Sequence, residues 1–133
     1  MSGSGVREMT LEDCDRVAEI RVRGWQRAYR GIIPQSYLDA MSVAQDAERR
    51  RFHFQENLRS DGKVVNLVAV TDGEVIGWVC HGPCRDLEVP NGDAELYAIY
   101  VHPDRFGSGA GRALIEESVR RCTAAGHPRL YLW

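Results

Sequence analysis

Gly107-Ser108-Gly109-Ala110-Gly111-Arg112 lies between two segments of different periodicity. Before it come Ala94–Val101, rich in Leu, Ile, Val and Tyr and so expected as a buried strand, and the stop His102-Pro103-Asp104. After it, Ala113, Leu114, Ile115, Val119 and Cys122 recur at the spacing of an amphipathic helix that ends at Gly126. A glycine cluster in that position leaves the unpaired N–H groups of a helix start pointing outward, where they attract anions. Glycine adopts φ > 0 and has no Cβ to hold a phosphate away, while the helix dipole and Arg112 add positive potential. The expected ligand is a pyrophosphate. The plainer reading, a loop that only turns the chain, does not account for a strand directly before and a helix directly after.

Upstream, Val6-Arg7-Glu8-Met9 alternates as a short strand, and Thr10 with an acid three places on resembles a capping box. Cys14, Val17, Ala18, Arg21, Trp25, Ala28 and Tyr29 continue at helical spacing to about Arg30, where Gly31 and Pro34 break the pattern. Pro34 opens a second helical stretch, and Ser42 caps another running through Ala44, Ala47, Arg51 and Phe54 toward Leu58. Segments 64–71 and 75–81 read as antiparallel strands joined by Asp72-Gly73, with Gly82-Pro83 stopping the second and Pro90-Asn91-Gly92 turning toward the next. Segment 130–133 begins a last strand. The expected class is α/β with a mixed sheet, in the order β-α-α-β-β-β-α-β. Residues 1–5 read as a flexible tail or linker, and 6–133 as one domain.

Composition narrows the function classes. Of 133 residues, 44% are hydrophobic and 27% charged, the balance of a globular protein. With a net charge of −2 and interleaved signs, no field exists to gather nucleic acid or anionic lipid. The apolar run 64–70 is interrupted by Asn66 and falls far short of the ~20 residues a membrane helix needs. Without the apolar stretch of a secretory signal, a cytoplasmic location is expected, and the four cysteines are expected as free thiols. Cys80-His81-Gly82-Pro83-Cys84 has neither Cys-x-x-Cys spacing nor a second ligand cluster, so no metal is expected. Arg49-Arg50-Arg51 is expected as a solvated helical face, and nothing in the sequence supports an acidic acceptor.

The segment Phe106-Gly107-Ser108-Gly109-Ala110-Gly111 resembles the acetyl-CoA motif Gln/Arg-x-x-Gly-x-Gly/Ala of the GNAT superfamily of N-acetyltransferases. The likeness continues through 95–103 and, more loosely, through 24–34. Phe106 stands at the motif's Gln/Arg position with Arg105 one place earlier, an exchange that backbone contacts survive. Similar proteins continue beyond the fifth strand with a helix and two strands, so by that comparison the chain is shortened.

The resemblance implies acetyl-CoA as cofactor and CoA as product. It implies that Phe106, Gly107, Ser108, Gly109, Ala110, Gly111 and Arg112 hold the pyrophosphate. Backbone groups of Ile99, Tyr100 and Val101 would then follow the pantetheine arm and stabilise the oxyanion. The acceptor would be a primary amine, on a small molecule or a protein, attacking the thioester directly. Such an amine has a pKa near ~10.4 and must lose a proton, a task the resemblance gives to Glu95, whose plainer reading is an ion pair with an arginine. The tyrosine that usually protonates the thiolate lies beyond this chain's last residue. Tyr97, Tyr100 and Tyr131 are the substitutes, with Tyr100 assigned, although each also reads as a strand aromatic. Trp25 and Tyr29, four apart on one helix face, are expected to border the acceptor pocket, or else to be core.

Two other readings compete. One is a noncatalytic CoA-binding or assembly module of the same fold. Its apolar last strand would leave an edge for a second copy, as a homodimer, or for a C-terminal segment supplied separately. The other is a dinucleotide-binding unit, which requires Gly-x-Gly-x-x-Gly early in a parallel sheet and an acid about 20 residues later, a pattern absent here.

Overall fold

The computed structural model describes residues 4–85 and 92–132. Pro90 and Asn91 of the expected turn, Trp133 of the last strand and residues 1–3 of the expected tail lie outside them. The chain runs β1 (Ser4–Glu8), α1 (Cys14–Ala28), α2 (Gln35–Asp39), α3 (Val43–Arg59), β2 (Val65–Thr71), β3 (Glu74–Pro83), β4 (Ala94–Val101), α4 (Ala110–Ala124) and β5 (Leu130–Leu132). The strands form one sheet in the order β1-β2-β3-β4-β5. The first four are antiparallel, and the crossover through α4 makes β5 parallel to β4. The mixed α/β class read from the sequence is the one observed.

Several boundaries differ from the expected ones. β1 begins at Ser4, paired with Thr71, so residues 4 and 5 belong to the sheet and not to a tail. β3 runs on through Gly82 and Pro83, opposite Glu95 and Ala94, because proline is tolerated at a strand end and its carbonyl accepts from the Tyr97 hydroxyl. The Asp72-Gly73 hairpin is as read: φ is 53° at Asp72 and 80° at Gly73, the paired positive angles of a tight turn matched to strand twist.

Strand alternation sends successive side chains to opposite faces, producing two cores. Val68, Trp78 and Cys80 meet Cys14, Val17 and Ile20 of α1 on one face. Leu67, Ile76, Val79 and Leu96 meet Ala110 and Leu114 of α4 on the other. All four cysteines are free thiols. Among the described residues no helix is long and apolar enough to cross a membrane.

Entry into α1 depends on Asp13. Its carboxylate accepts from the Thr10 backbone N–H at 2.7 Å, from the Thr10 hydroxyl at 3.1 Å and from both Arg7 Nη atoms at 2.8 and 3.0 Å. Burial pushes this carboxyl up, but the bonds from Arg7 and Thr10 together outweigh it and leave the pKa below its ordinary value. A carboxyl lowered on folding contributes stability that is complete above its unfolded pKa and is lost as pH falls through the folded one. Urea denaturation should therefore show stability declining below about pH 4. Asp13→Ala should cost about 1 kcal/mol at neutral pH and make the acid-side decline shallower; equal stability of the two proteins at pH 7 would contradict this.

Candidate active site

The turn ahead of α4 is exposed from Arg105 to Gly109, and φ is 80° at Gly107 and 88° at Gly109. A Cβ added at either glycine would meet nothing within 4 Å, so these residues serve backbone conformation and open access, not packing. Within the turn, Ser108 N–H donates to the Arg105 carbonyl and Ala110 N–H to the Ser108 hydroxyl. The N–H groups of Gly111 and Arg112 lie in the first turn of α4, one turn too early for a carbonyl of their own helix. They border a recess of about 260 Å³ shared with Val101, Arg105 and Phe106. Phe106, at the exchanged motif position, is 56% exposed, and Arg105 reaches Glu74 at 3.5 Å.

From that recess β4 leads to a second opening. β5 pairs with β4 only at Ala94, Glu95 and Leu96, so beyond Leu96 the far edge of β4 has no strand beside it among the described residues. On the other edge, Cys80 pairs with Ala98 and His81 with Leu96, leaving Tyr97 as the extra residue of a bulge. The opened edge borders a notch of about 330 Å³ lined by Arg85, Glu95 and 96–100. Arg85, Tyr97, Ala98 and Tyr100 also line a larger cavity of about 650 Å³, reaching between α3 and the sheet. These four residues are common to the walls of both spaces.

Glu95 lies in this notch, buried, with its carboxylate held by Arg85. The Arg85 backbone N–H reaches Oε1 at 3.0 Å, and Nη2 reaches Oε2 at 2.8 Å. The arginine partner expected as the plainer reading is present. Among the tyrosines, Tyr97 donates its proton to the Pro83 carbonyl, and burial pushes its phenol pKa up against the pull of Arg85. Tyr131 lies beside Arg129 and holds its pKa above the ordinary value. Tyr100 differs: its hydroxyl accepts from the Trp25 indole at 2.9 Å, which leaves its own proton to give. Its ring lies parallel to Trp78, with centroids 6.1 Å apart. Gly24 permits this approach, since a Cβ there would stand 3.2 Å from the Tyr100 ring.

The Trp25 and Tyr29 rings lie against each other, tilted by 40° with centroids 4.5 Å apart, and neither belongs to the described lining of the large cavity. Trp25 bears on that cavity through Tyr100, which it orients. The expected solvated arginine face is also only partly correct. Arg49 is exposed, but Arg50 shares the helix face of Ala47 and Phe54, has a side chain 17% exposed, and lines the cavity. Arg21, Arg50, Arg85 and Trp78 were not singled out as site residues from the sequence. The spacing Ala47, Arg50, Phe54 was the available signal, since it puts an arginine on an inward stripe. Cys80 lines the cavity too, but burial pushes its thiol up to about 12, so it carries no nucleophilic thiolate near neutral pH. No group of His, Cys, Asp and Glu among the described residues is arranged to hold a metal.

A strand opened along one edge, beside a helix whose glycine turn bares its first N–H groups, is the architecture of acyl-CoA N-acyltransferases. Residues 21–133 match the Acetyltransferase (GNAT) family, and the chain belongs to that family. It is 33% identical over 129 residues to the uncharacterized N-acetyltransferase YuaI of Bacillus subtilis, covering 96% of this chain and 69% of that protein. It is 21% identical over 113 residues to the spermidine N(1)-acetyltransferase of Thermoplasma acidophilum, covering 85% of this chain and 66% of that one. The fold matches the PaiA N-acetyltransferase of T. acidophilum, whose crystal structure is a complex with coenzyme A. The TM-score is 0.73 at 21% identity, over 93% of this chain and 74% of that one. The family uses acetyl-CoA.

If Trp25 orients Tyr100 as the geometry indicates, a double-mutant cycle of Trp25→Phe and Tyr100→Phe should show each change costing about 1 kcal/mol, with coupling of similar size. Additive effects in urea denaturation would contradict the bond.

Proposed function

We propose that this chain binds acetyl-CoA along β4 and α4 and transfers the acetyl group to a primary amine presented from the large cavity. The observation that carries the reading is the succession along β4 of the exposed Gly107–Gly109 turn, the opened strand edge, and a notch that shares Arg85, Tyr97, Ala98 and Tyr100 with that cavity. The fit is chemical as well as geometric. Outward backbone N–H groups and a helix start suit a pyrophosphate, and the open edge offers main-chain partners to an extended amide-bearing arm. Phe106 in place of Gln or Arg removes a side-chain donor and leaves these backbone donors intact.

Bound there, acetyl-CoA supplies an acetyl thioester, and transfer joins the amine nitrogen to the acetyl carbon as the carbon–sulfur bond breaks. The protein has three tasks. Backbone N–H groups in the region of Ile99, Tyr100 and Val101 donate to the carbonyl oxygen as it gains charge. Glu95, in the notch, takes the amine proton through water, with Arg85 fixing the carboxylate in place. Tyr100, held by Trp25, gives its proton to the departing sulfur. With Cys80 protonated, no acyl-enzyme on that thiol competes with direct attack.

The alternative is a CoA-binding module without turnover. β5 is paired on one side only among the described residues and carries Leu132, 53% exposed. A strand from a second copy, or from a further segment, fits that edge.

CoA and acetyl-CoA should raise the melting temperature while NADH does not. Gly109→Val puts a side chain at φ 88° on the approach to the turn, and should weaken CoA binding by about 10-fold or more at a folding cost of about 1–2 kcal/mol. Calorimetric titration measures the first quantity and urea denaturation the second. Glu95→Gln should leave CoA affinity unchanged and lower turnover at neutral pH by about 100-fold, assayed as released thiol; full activity would remove Glu95 from the chemistry.

A further inference from the structure

The large cavity is cationic. Arg21 of α1 lies 5.8 Å from the Tyr100 ring centre, Arg50 of α3 lies 5.7 Å from that of Trp78, and Arg85 lies 4.1 Å from that of Tyr97. A guanidinium lying on a ring face still has its in-plane N–H donors to offer. Those of Arg85 are engaged by Glu95. Arg21 and Arg50 share a single carboxylate, that of the buried Asp46. Arg21 Nη1 reaches Oδ1 at 2.9 Å, while Arg50 Nε stands 3.8 Å from Oδ2, beyond hydrogen-bond length. Arg50 Nε and Asp46 Oδ2 are both shut from solvent without a hydrogen bond.

The rest of the described lining does not redress this balance. Its one carboxylate is Glu56, half exposed and bonded to Arg59 at 3.0 Å. Burial draws the Arg50 pKa below its ordinary value, Asp46 raises it and Arg21 lowers it further, yet a guanidinium stays charged near neutral pH. Among the described residues two largely buried cations thus face one carboxylate, in a cavity walled by Trp78, Tyr97 and Tyr100. With Nε shut away beside Asp46, an acceptor in the cavity meets Arg50 through its Nη groups, which are not among the atoms closed to solvent, and a charge-assisted bond there offsets the cost of holding the cation in the wall.

Resting on the transferase reading above, we propose that the acceptor carries a carboxylate, seated on Arg50 and Arg21, with its amine directed along the aromatic wall to β4 at Tyr100. A polyamine such as spermidine would instead place ammonium groups against these arginines.

The test is calorimetric titration of the CoA-loaded protein with ω-amino acids of increasing length and with glycyl-glutamate, each beside its own carboxamide, and with spermidine. At least one acid should bind about 30-fold more tightly than its amide, the discrimination expected of a charge-assisted hydrogen bond lost from a buried site. Arg50→Met should erase that preference, Arg50→Lys should restore part of it, and both should keep the wild-type CoA affinity. Equal binding of every acid and its amide, or tighter binding of spermidine than of any acid, would overturn the proposal. The wild-type comparison decides the matter if Arg50→Met does not fold. Thiol release from acetyl-CoA is read separately, so acid-selective binding without turnover refutes the transferase reading and leaves the carboxylate site standing.

Discussion

β4 is hydrogen-bonded on both edges only as far as Leu96, and from Tyr97 to Val101 it keeps β3 as its one strand neighbour among the described residues. Main-chain donors and acceptors along an opened edge need partners, and water or a ligand's amides can supply them. The crossover through α4 sets this up. A short β5 parallel to the start of β4 brings the first turn of α4 beside the other end, next to Val101. The exposed glycine turn and the opened strand edge are therefore two ends of one strand–helix unit.

Around that unit the two faces of the sheet divide the work. On the α4 face, Leu114 and Ala110 pack against Ile76, Val79 and Leu96 and hold the glycine turn in place. On the α1 and α3 face, the core opens into the aromatic and arginine-lined cavity. Tyr100 belongs to both systems. Its backbone lies on the open edge, its ring faces the cavity, and its hydroxyl is fixed by an indole 75 residues away in sequence.

The parts legible in the sequence were those specified locally. Asp72-Gly73 encodes its hairpin through paired positive φ angles, and the glycine turn encodes its own conformation between a β-rich run and a helical one. Two kinds of feature were hidden. Contacts between distant segments, such as the hydrogen bond of Trp25 with Tyr100, leave no mark on either segment, so helical spacing offers Trp25 as pocket wall or core and says nothing of this partner. Helix phase disguised the other: within Arg49-Arg50-Arg51 one member turns inward, pairing with Asp46 and lying over Trp78, while the run as a whole reads as a solvated charge cluster. The ion pair of Glu95 with Arg85 joins residues ten apart in sequence, a separation that no helix or strand period sets.

The most direct measurement is an amide-resolved NMR titration of the protein with CoA. The N–H groups of Gly107, Gly109, Gly111 and Arg112, followed by those from Tyr97 to Val101, should shift together with one dissociation constant and become slower to exchange with solvent. If CoA binds and those amides stay unchanged while others respond, the cofactor lies elsewhere, and the assignment of the glycine turn and the opened strand is wrong.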